Sequence, residues 1–336
     1  MKHKKFLLLT VLSIMICLLG ICLVQCSGDN KGKKVLGKPV SAPYELLVVV
    51  DKEWLKTEAG ETFKVVIESP IAGLPRPESH FRITYINPAD FKGTFHFYGN
   101  VLVVNISKKV EETSIEWFEE MYCKPQYVTY LNAPDNEKFI SMLHDNAKVI
   151  LDRLDLYEFN RERALLQTKY SGQVLSQMRK QFGLQMRAPQ DVDDIKTGID
   201  FFWASDSKKE FRTNVCAYTV PLRDSLTLAD FLAIRDSVMK INIPGGREDQ
   251  WMETDSRTVS YDLWESDDKH PYMVVRGLWD MKNDAMGGPF VSYITNDYDK
   301  NRTVIVEGFV FAPEEDKRAM IRQLEAGLQT LELDEK

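Results

Sequence analysis

Few residues of this chain have the type and spacing that chemistry requires, and the clearest candidate is Cys26. It follows an apolar run from Phe6 to Val24, which is itself preceded by the basic stretch Lys2-His3-Lys4-Lys5. A positive segment followed by an apolar core is the layout of an export signal. Leu23-Val24-Gln25-Cys26 is similar to a bacterial lipobox, although Gln25 stands where a small residue is usual. We therefore expect Cys26 to be acylated and to become the first residue of the mature chain.

An uncleaved membrane-spanning helix is the competing interpretation, because about 18 apolar residues can span a bilayer. The polar stretch Ser27-Gly28-Asp29-Asn30 after Cys26 favours a tether instead. Either way, we expect a membrane-attached protein of a bacterial cell envelope, outside the cytoplasm, at the inner or the outer membrane. Acyl chains hold a protein at a bilayer because each buried methylene adds ~0.8 kcal/mol.

Residue patterns typical of catalysis or metal binding are weak. Ser205-Asp206-Ser207-Lys208 has a Ser-x-x-Lys spacing, but it stands in a polar turn without partner motifs. Asp297-Tyr298-Asp299 begins like a calcium loop, yet Arg302 and Gly308 replace the Gly and Glu that an EF-hand needs. A hairpin turn explains this stretch better. The mature chain has four histidines with no helical i, i+4 pair: His80, His96, His144 and His270. We expect no cofactor, no metal and no catalytic residue.

Two charged residues, Arg276 and Glu307, interrupt otherwise apolar strand patterns. If their strands face the same layer, the two side chains would form a semi-buried ion pair that holds the strand register. The alternative is that Arg276, beside Trp279, contacts a ligand.

Composition limits the partners and the redox chemistry. The chain has 336 residues, of which 44% are hydrophobic and 28% charged, as is ordinary for a globular protein. Its net charge of −7 argues against nucleic acid as a partner, since phosphate binding needs clustered Lys and Arg. Cys123 and Cys216 would remain after processing. An oxidising envelope permits a disulfide between them, but their separation leaves the pairing open.

The chain divides into four regions. Residues 1–25 form the signal peptide and 26–43 a flexible tether, which is rich in Gly and Lys. Residues 44–183 form an α+β region with a long helix or helix pair near 135–182. A break near Asn160 or a bend at Ser171-Gly172 is expected, with Gly183 as the C-cap. Residues 184–336 form a second α+β region. The boundary near 184 is not sharply defined by the sequence, and packing of the two regions as one unit is the alternative.

Strand patterns dominate the last region, and Met273 to Ala312 is its core. The predicted strands there are 199–204, 215–220, 258–264, 272–279, 290–295 and 303–311. Helices are predicted at 226–241 and 314–333, whereas Trp117-Phe118 and Met121-Tyr122 indicate a short helix in the first region. Adjacent strands joined by short turns predict an α+β fold with mainly antiparallel sheets packed by a few helices.

Several stretches carry a family resemblance: Leu46 to Asp51, Gly73-Leu74-Pro75-Arg76-Pro77-Glu78, Arg276-Gly277-Leu278-Trp279, Met286-Gly287-Gly288-Pro289-Phe290 and Val306 to Pro313. With the lipobox, they resemble an uncharacterised lipoprotein family of Bacteroidota envelopes, a domain of unknown function. That resemblance implies a lipoprotein and transfers no activity. The end of the chain, with a Gly-aromatic-Val-aromatic strand before a final helix, is similar to the photosystem-P/Mog1-type α+β fold.

The hypothesis we favour is a non-enzymatic binding or assembly module, anchored through its N-terminal lipid, with an envelope protein or polymer as partner. An envelope hydrolase and a carrier of a soluble ligand are the alternatives. A cleft with convergent carboxylates or histidines would favour the hydrolase, and a deep apolar cavity would favour the carrier. A flat apolar patch would favour a macromolecular partner.

Overall fold

The computed structural model describes residues 36–206, 212–266 and 270–333. Cys26, the export signal, most of the predicted tether and Lys208 lie outside the described residues. Residues from Lys38 onward form one compact unit. The described chain contains five helices and 14 strands. Within these residues, no helix is both long enough and apolar enough to cross a membrane.

The first half of the chain is built on a five-stranded sheet with the order β2-β1-β3-β5-β4. Three of its pairings are parallel, and only β4 runs antiparallel to its neighbour. The central strands are almost wholly apolar, as strands covered on both faces usually are. The strands are β1 (Glu45–Val49), β2 (Arg82–Ile86), β3 (Asn100–Ile106), β4 (Ser114–Glu119) and β5 (Tyr127–Ala133).

Two helices, α1 (Glu58–Ile67) and α2 (Asn136–Leu166), pack on one face of this sheet. Among the described residues, the other face is covered by a stretch with two short 3₁₀ helices, Pro88–Asp90 and Gly93–Phe97, which carries Phe91, Phe95 and Tyr98. The short helix predicted around Trp117–Tyr122 is wrong, because Trp117 and Phe118 belong to β4.

The predicted long helical segment is a pair of helices, α2 and α3 (Gly172–Phe182), and the bend expected at Ser171-Gly172 is confirmed. The Ser171 hydroxyl accepts a hydrogen bond from Val174 N and so caps α3. Gly183 ends α3 with φ 61°, a left-handed conformation in which glycine carries no side-chain penalty.

The second half is built on a seven-stranded, wholly antiparallel sheet with the order β10-β11-β12-β13-β9-β8-β7. The stretch Met273 to Ala312 supplies its three adjacent strands β11, β12 and β13, so its prediction as sheet core is confirmed. The α+β class with mainly antiparallel sheets is confirmed as well. The strands are β7 (Asp194–Gly198), β8 (Phe201–Ser205), β9 (Arg212–Pro221), β10 (Met252–Glu265), β11 (Pro271–Met281), β12 (Gly287–Asp297) and β13 (Arg302–Phe311).

Helices cover both faces of this sheet. The helix α4 (Leu228–Asn242) packs on the face that carries Val275, Phe290 and Ile305, and we name it the α4 face. The helices α3 and α5 (Arg318–Leu328) pack on the opposite face, named here the α5 face. A two-stranded sheet of β6 (Leu184–Gln185) and β14 (Glu332–Leu333) closes the chain.

Candidate functional site

Arg276 and Glu307 do not form the ion pair that was predicted. Arg276 lies level with Val291 in β12, whereas Glu307 lies level with the next residue, Ser292. Successive residues of a strand point to opposite faces. Arg276 therefore lies on the α5 face and Glu307 on the α4 face, so the prediction was wrong because the register separates the two side chains by the sheet itself.

Glu307 binds Arg235 of α4 instead. Arg235 Nε donates to Glu307 Oε2 at 2.9 Å and Nη2 donates to Oε1 at 2.7 Å, in a fully buried bidentate pair. Ser292 Oγ also donates to Glu307, and Arg235 Nη1 donates to Thr254 Oγ1. The guanidinium stacks on Phe290, with its carbon 3.9 Å from the ring centre. Although burial opposes its charge, the Glu307 carboxylate raises the pKa of Arg235.

Arg276 binds two carboxylates on the α5 face. Its Nη2 donates to Glu325 of α5, and its Nη1 lies 3.3 Å from Asp262 Oδ2 in β10. Tyr293 Oη also donates to Glu325, at 3.0 Å. Arg276 is thus a semi-buried structural contact between two strands and a helix. Trp279 does not lie beside Arg276, as the ligand alternative supposed, because it is on the other face, buried against Phe309, with its Nε1 donating to Val310 O.

The remaining sequence candidates lie apart from each other. Cys123 and Cys216 are free buried thiols, so no bridge joins them. Asp297 and Arg302 form an ion pair across the β12–β13 hairpin, which confirms the predicted turn. Ser205 ends β8, and its suggested partner Lys208 lies outside the described residues. Among the residues that are described, no group of three or more His, Cys, Asp or Glu has the arrangement of a metal site.

The feature best suited to binding is a groove of about 690 Å³ on the α4 face, at the end of the sheet where β10, β11 and β12 lie side by side. Leu263, Met273 and Ile294 are directly level with one another in these three strands, so they form an apolar row across the floor. The loop that precedes α4 bounds the groove with Arg223 and Leu226.

Exposure increases along this row from the centre of the sheet to its edge. Ile294 is 4% exposed and Leu263 is 83% exposed. The cause is the position of α4, whose Arg235 and Asp236 contact Thr254 at the far end of β10. The helix therefore leaves the outer end of the row uncovered, and contiguous apolar surface of this kind marks interaction sites.

Two polar groups that line the groove, Thr295 and His270, contact each other. Thr295 Oγ1 donates its only hydrogen to Pro271 O at 2.8 Å. It also lies 2.7 Å from His270 Nε2.

Sequence reasoning missed the groove. Leu263 lay within the predicted strand 258–264 as an ordinary alternating residue, and nothing in a single strand shows which end of a sheet a helix will cover. The sequence shows apolar Tyr261 and Leu263 alternating with Asp262, but their 56% and 83% exposure on an edge strand is visible only in the folded chain.

Comparisons with known families divide the chain in two. Residues 40–167 match the model of one domain of unknown function, DUF8532, and residues 171–330 match that of another, DUF4837. The two matches meet between α2 and α3. Both models describe domains of unknown function, which supports the uncharacterised family that the resemblance implied. No curated protein matches.

Two solved structures of Mog1 show a distant likeness. The Ran-binding protein Mog1p of Saccharomyces cerevisiae is 10% identical, with a TM-score of 0.31, and the match covers 45% of this chain and 92% of that one. A mutant of the protein Mog1 is also 10% identical, with a TM-score of 0.29 and coverage of 45% and 90%. At this distance the likeness carries no inference about what this chain binds.

Proposed function

We propose that this protein is a lipid-anchored binding module of a bacterial cell envelope, which holds an apolar segment of another envelope component in the groove. The proposed location in the cell envelope rests on the sequence, namely on the basic and apolar export signal that ends at Cys26. The binding role rests on the open apolar row of Leu263, Met273 and Ile294, and this row is the observation that carries the proposal.

The energetics of the row favour a partner over continued exposure to water. Full burial of one leucine side chain contributes roughly 1.5–3 kcal/mol. Leu263 and Tyr261 both leave most of their side chains uncovered, and their neighbours are already fixed by the sheet. A partner that covers them gains this burial without ordering a loop, which keeps the entropic cost of binding low.

The groove test uses a photo-crosslinking amino acid at position 263 in cells that carry the full chain. We expect one dominant cross-linked envelope component. The matched control places the same amino acid at Ile199, which is 94% exposed in the turn between β7 and β8, at the opposite edge of the same sheet. An identical cross-link pattern from both positions would show that the groove has no specific occupant.

The anchor is tested separately. Cys26→Ser is expected to release the protein from the membrane fraction or leave it as an unprocessed precursor. Inhibition of lipoprotein signal peptidase should make the wild-type precursor accumulate. If the precursor is processed normally under inhibition, the assignment of Cys26 is wrong, whatever the groove binds.

A further inference from the structure

We propose that the outer edge of β4 is a second interaction surface, which takes an extended basic segment of a partner protein as an additional strand. This surface belongs to the five-stranded sheet, and the groove described above belongs to the other sheet. The inference therefore goes beyond the proposed function and stands or fails independently of it.

The strand β4 ends its sheet and pairs on one side only, with β5. In the described chain, residues 114–119 make no backbone hydrogen bond outside that pairing. Unpaired N–H and C=O groups along an edge are a template for another strand. Partner proteins use such edges for peptide recognition, with backbone hydrogen bonds for affinity and neighbouring pockets for specificity.

A groove of about 410 Å³, lined by both apolar and polar side chains, lies directly beside this edge, on the sheet face that no α-helix of the described chain covers. Phe118 packs edge-on against Tyr130 of β5, with their ring centres 5.7 Å apart. Phe118 and Met121 line this groove and are 39% and 40% exposed. The groove can therefore accept an apolar side chain from a strand added at β4.

The negative charge around the groove favours a basic partner. Glu112 and Glu116 line it, and Glu111 and Glu119 flank it in sequence. Among the described residues, none of these four carboxylates has a Lys or Arg within ion-pair distance. Ser114 Oγ and Asn132 Nδ2 donate to Glu116 and hold its carboxylate at the groove wall. Strands with opposite charges across the pairing are favoured, and like charges are disfavoured.

These features specify an extended segment in which apolar and basic side chains share one face. Side chains on the same face of a strand are about 6.6 Å apart. An apolar residue beside Phe118 therefore brings the next residue on that face towards Glu116, where Lys or Arg fits best. A second copy of this chain is a poor occupant, because its own β4 would bring further glutamates to the same edge.

The test measures binding of a fluorescein-labelled peptide in which Lys alternates with Val and Phe, by fluorescence anisotropy with the whole mature chain. Binding should be measurable at low salt and weaken as salt rises. The same peptide with Glu in place of Lys should not bind. Glu116→Lys and Phe118→Ala should each weaken binding about tenfold. The matched controls, Glu53→Lys and Leu156→Ala, change exposed residues elsewhere and should leave binding unchanged.

Hydrogen exchange of the wild-type protein supplies a readout that needs no variant. Bound peptide should slow amide exchange in residues 114–119 and leave exchange in β10, one of the two edge strands of the other sheet, unchanged. Equal weakening by the control variants, or no slowing in β4, would overturn the proposal. Sedimentation that shows dimers formed through β4 would overturn it too, because the occupant would then be a second copy.

Discussion

A buried carboxylate in an antiparallel sheet needs a cation on its own face, and Glu307 obtains one from Arg235 of α4. The pair is also bonded to Ser292 and Thr254, so both charged groups are well supplied with hydrogen bonds. Removing one partner of such a pair leaves an uncompensated buried charge, which costs more than the pair itself contributes. The network fixes α4 on the sheet and so determines how far the groove remains uncovered.

Glu307→Ala is accordingly expected to lower the free energy of unfolding by roughly 3–5 kcal/mol, because Arg235 stays buried without a partner. The double variant Arg235→Met, Glu307→Leu should lose much less, since neither side chain is then charged. Urea unfolding monitored by circular dichroism measures both. The structural role of the ion pair is contradicted if Glu307→Ala is as stable as the wild type, or if it loses less unfolding free energy than the double variant.

Glu162 of α2 is a second buried carboxylic acid, and its surroundings disfavour its charged form. It is 4% exposed, and Glu158 lies one turn before it on the same helix. Burial, with the Glu158 carboxylate as the next cause, raises the pKa of Glu162 from 4.5 to about 6. Because the folded pKa is raised, the folded state binds this proton more tightly than the unfolded state. Proton binding by Glu162 therefore stabilises the folded state below pH 4.5, and this stabilisation is lost as the pH rises through 6.

Glu162→Gln should therefore be more stable than the wild type at pH 7.5 by about 2 kcal/mol, which corresponds to the shift in pKa. The difference should vanish near pH 4. Unfolding free energies of both proteins across this range test the prediction, with the exposed Glu61→Gln as a control for the loss of one negative charge. A difference that is constant with pH would contradict it.

At the scale of elements, six of the seven strands of the second sheet were predicted, because alternation and turn residues delimit them locally, whereas β7 was missed. The prediction failed at β4. Ile115 and Trp117 face α2, while Phe118 faces the uncovered side, so both faces carry large apolar residues and the alternation is hidden. The partners of Arg276 and Glu307 could not be predicted either. The residue pattern within one strand does not show which residues of a neighbouring strand lie level with it.

The stretch Gly73 to Glu78, which carried part of the family resemblance, has a role that only the folded chain reveals. Lys317, the residue before α5, offers no side-chain cap. Glu78 replaces it, since its carboxylate accepts from Lys317 N and Arg318 N, both at 2.9 Å. A negative charge at a helix N-terminus also interacts favourably with the helix dipole. A loop of the first half thus completes a helix of the second.

Glu78→Ala is expected to destabilise the protein by about 1 kcal/mol, the usual cost of a lost helix cap. Glu314→Ala is the matched control, because this carboxylate pairs with Arg76 nearby while 87% exposed, and an exposed pair contributes little. Thermal unfolding midpoints compare the two. Equal effects would show that Glu78 contributes only a surface charge.

At the scale of the whole molecule, the two family matches meet after α2, yet the packing continues across that point. Arg322 of α5 is 3% exposed between the rings of Tyr44 and Phe159, at 4.7 and 4.8 Å, and binds Asp155 of α2 at 2.6 Å. Leu74 of the first half packs into the core of the second. Separating the halves would expose this core and leave a buried arginine without its partners.

We therefore expect residues 38–336 to unfold in a single transition, with tryptophan fluorescence and circular dichroism giving the same midpoint. Arg322→Ala should lower that midpoint without splitting the transition, because its loss weakens the contact between halves that cannot bury their surfaces alone. Chains limited to residues 40–167 or 171–330 should lack a cooperative transition. Two separate transitions in the wild type, or independent folding of both fragments, would show that the halves are autonomous domains and that the contacts of Arg322 and Glu78 only dock them.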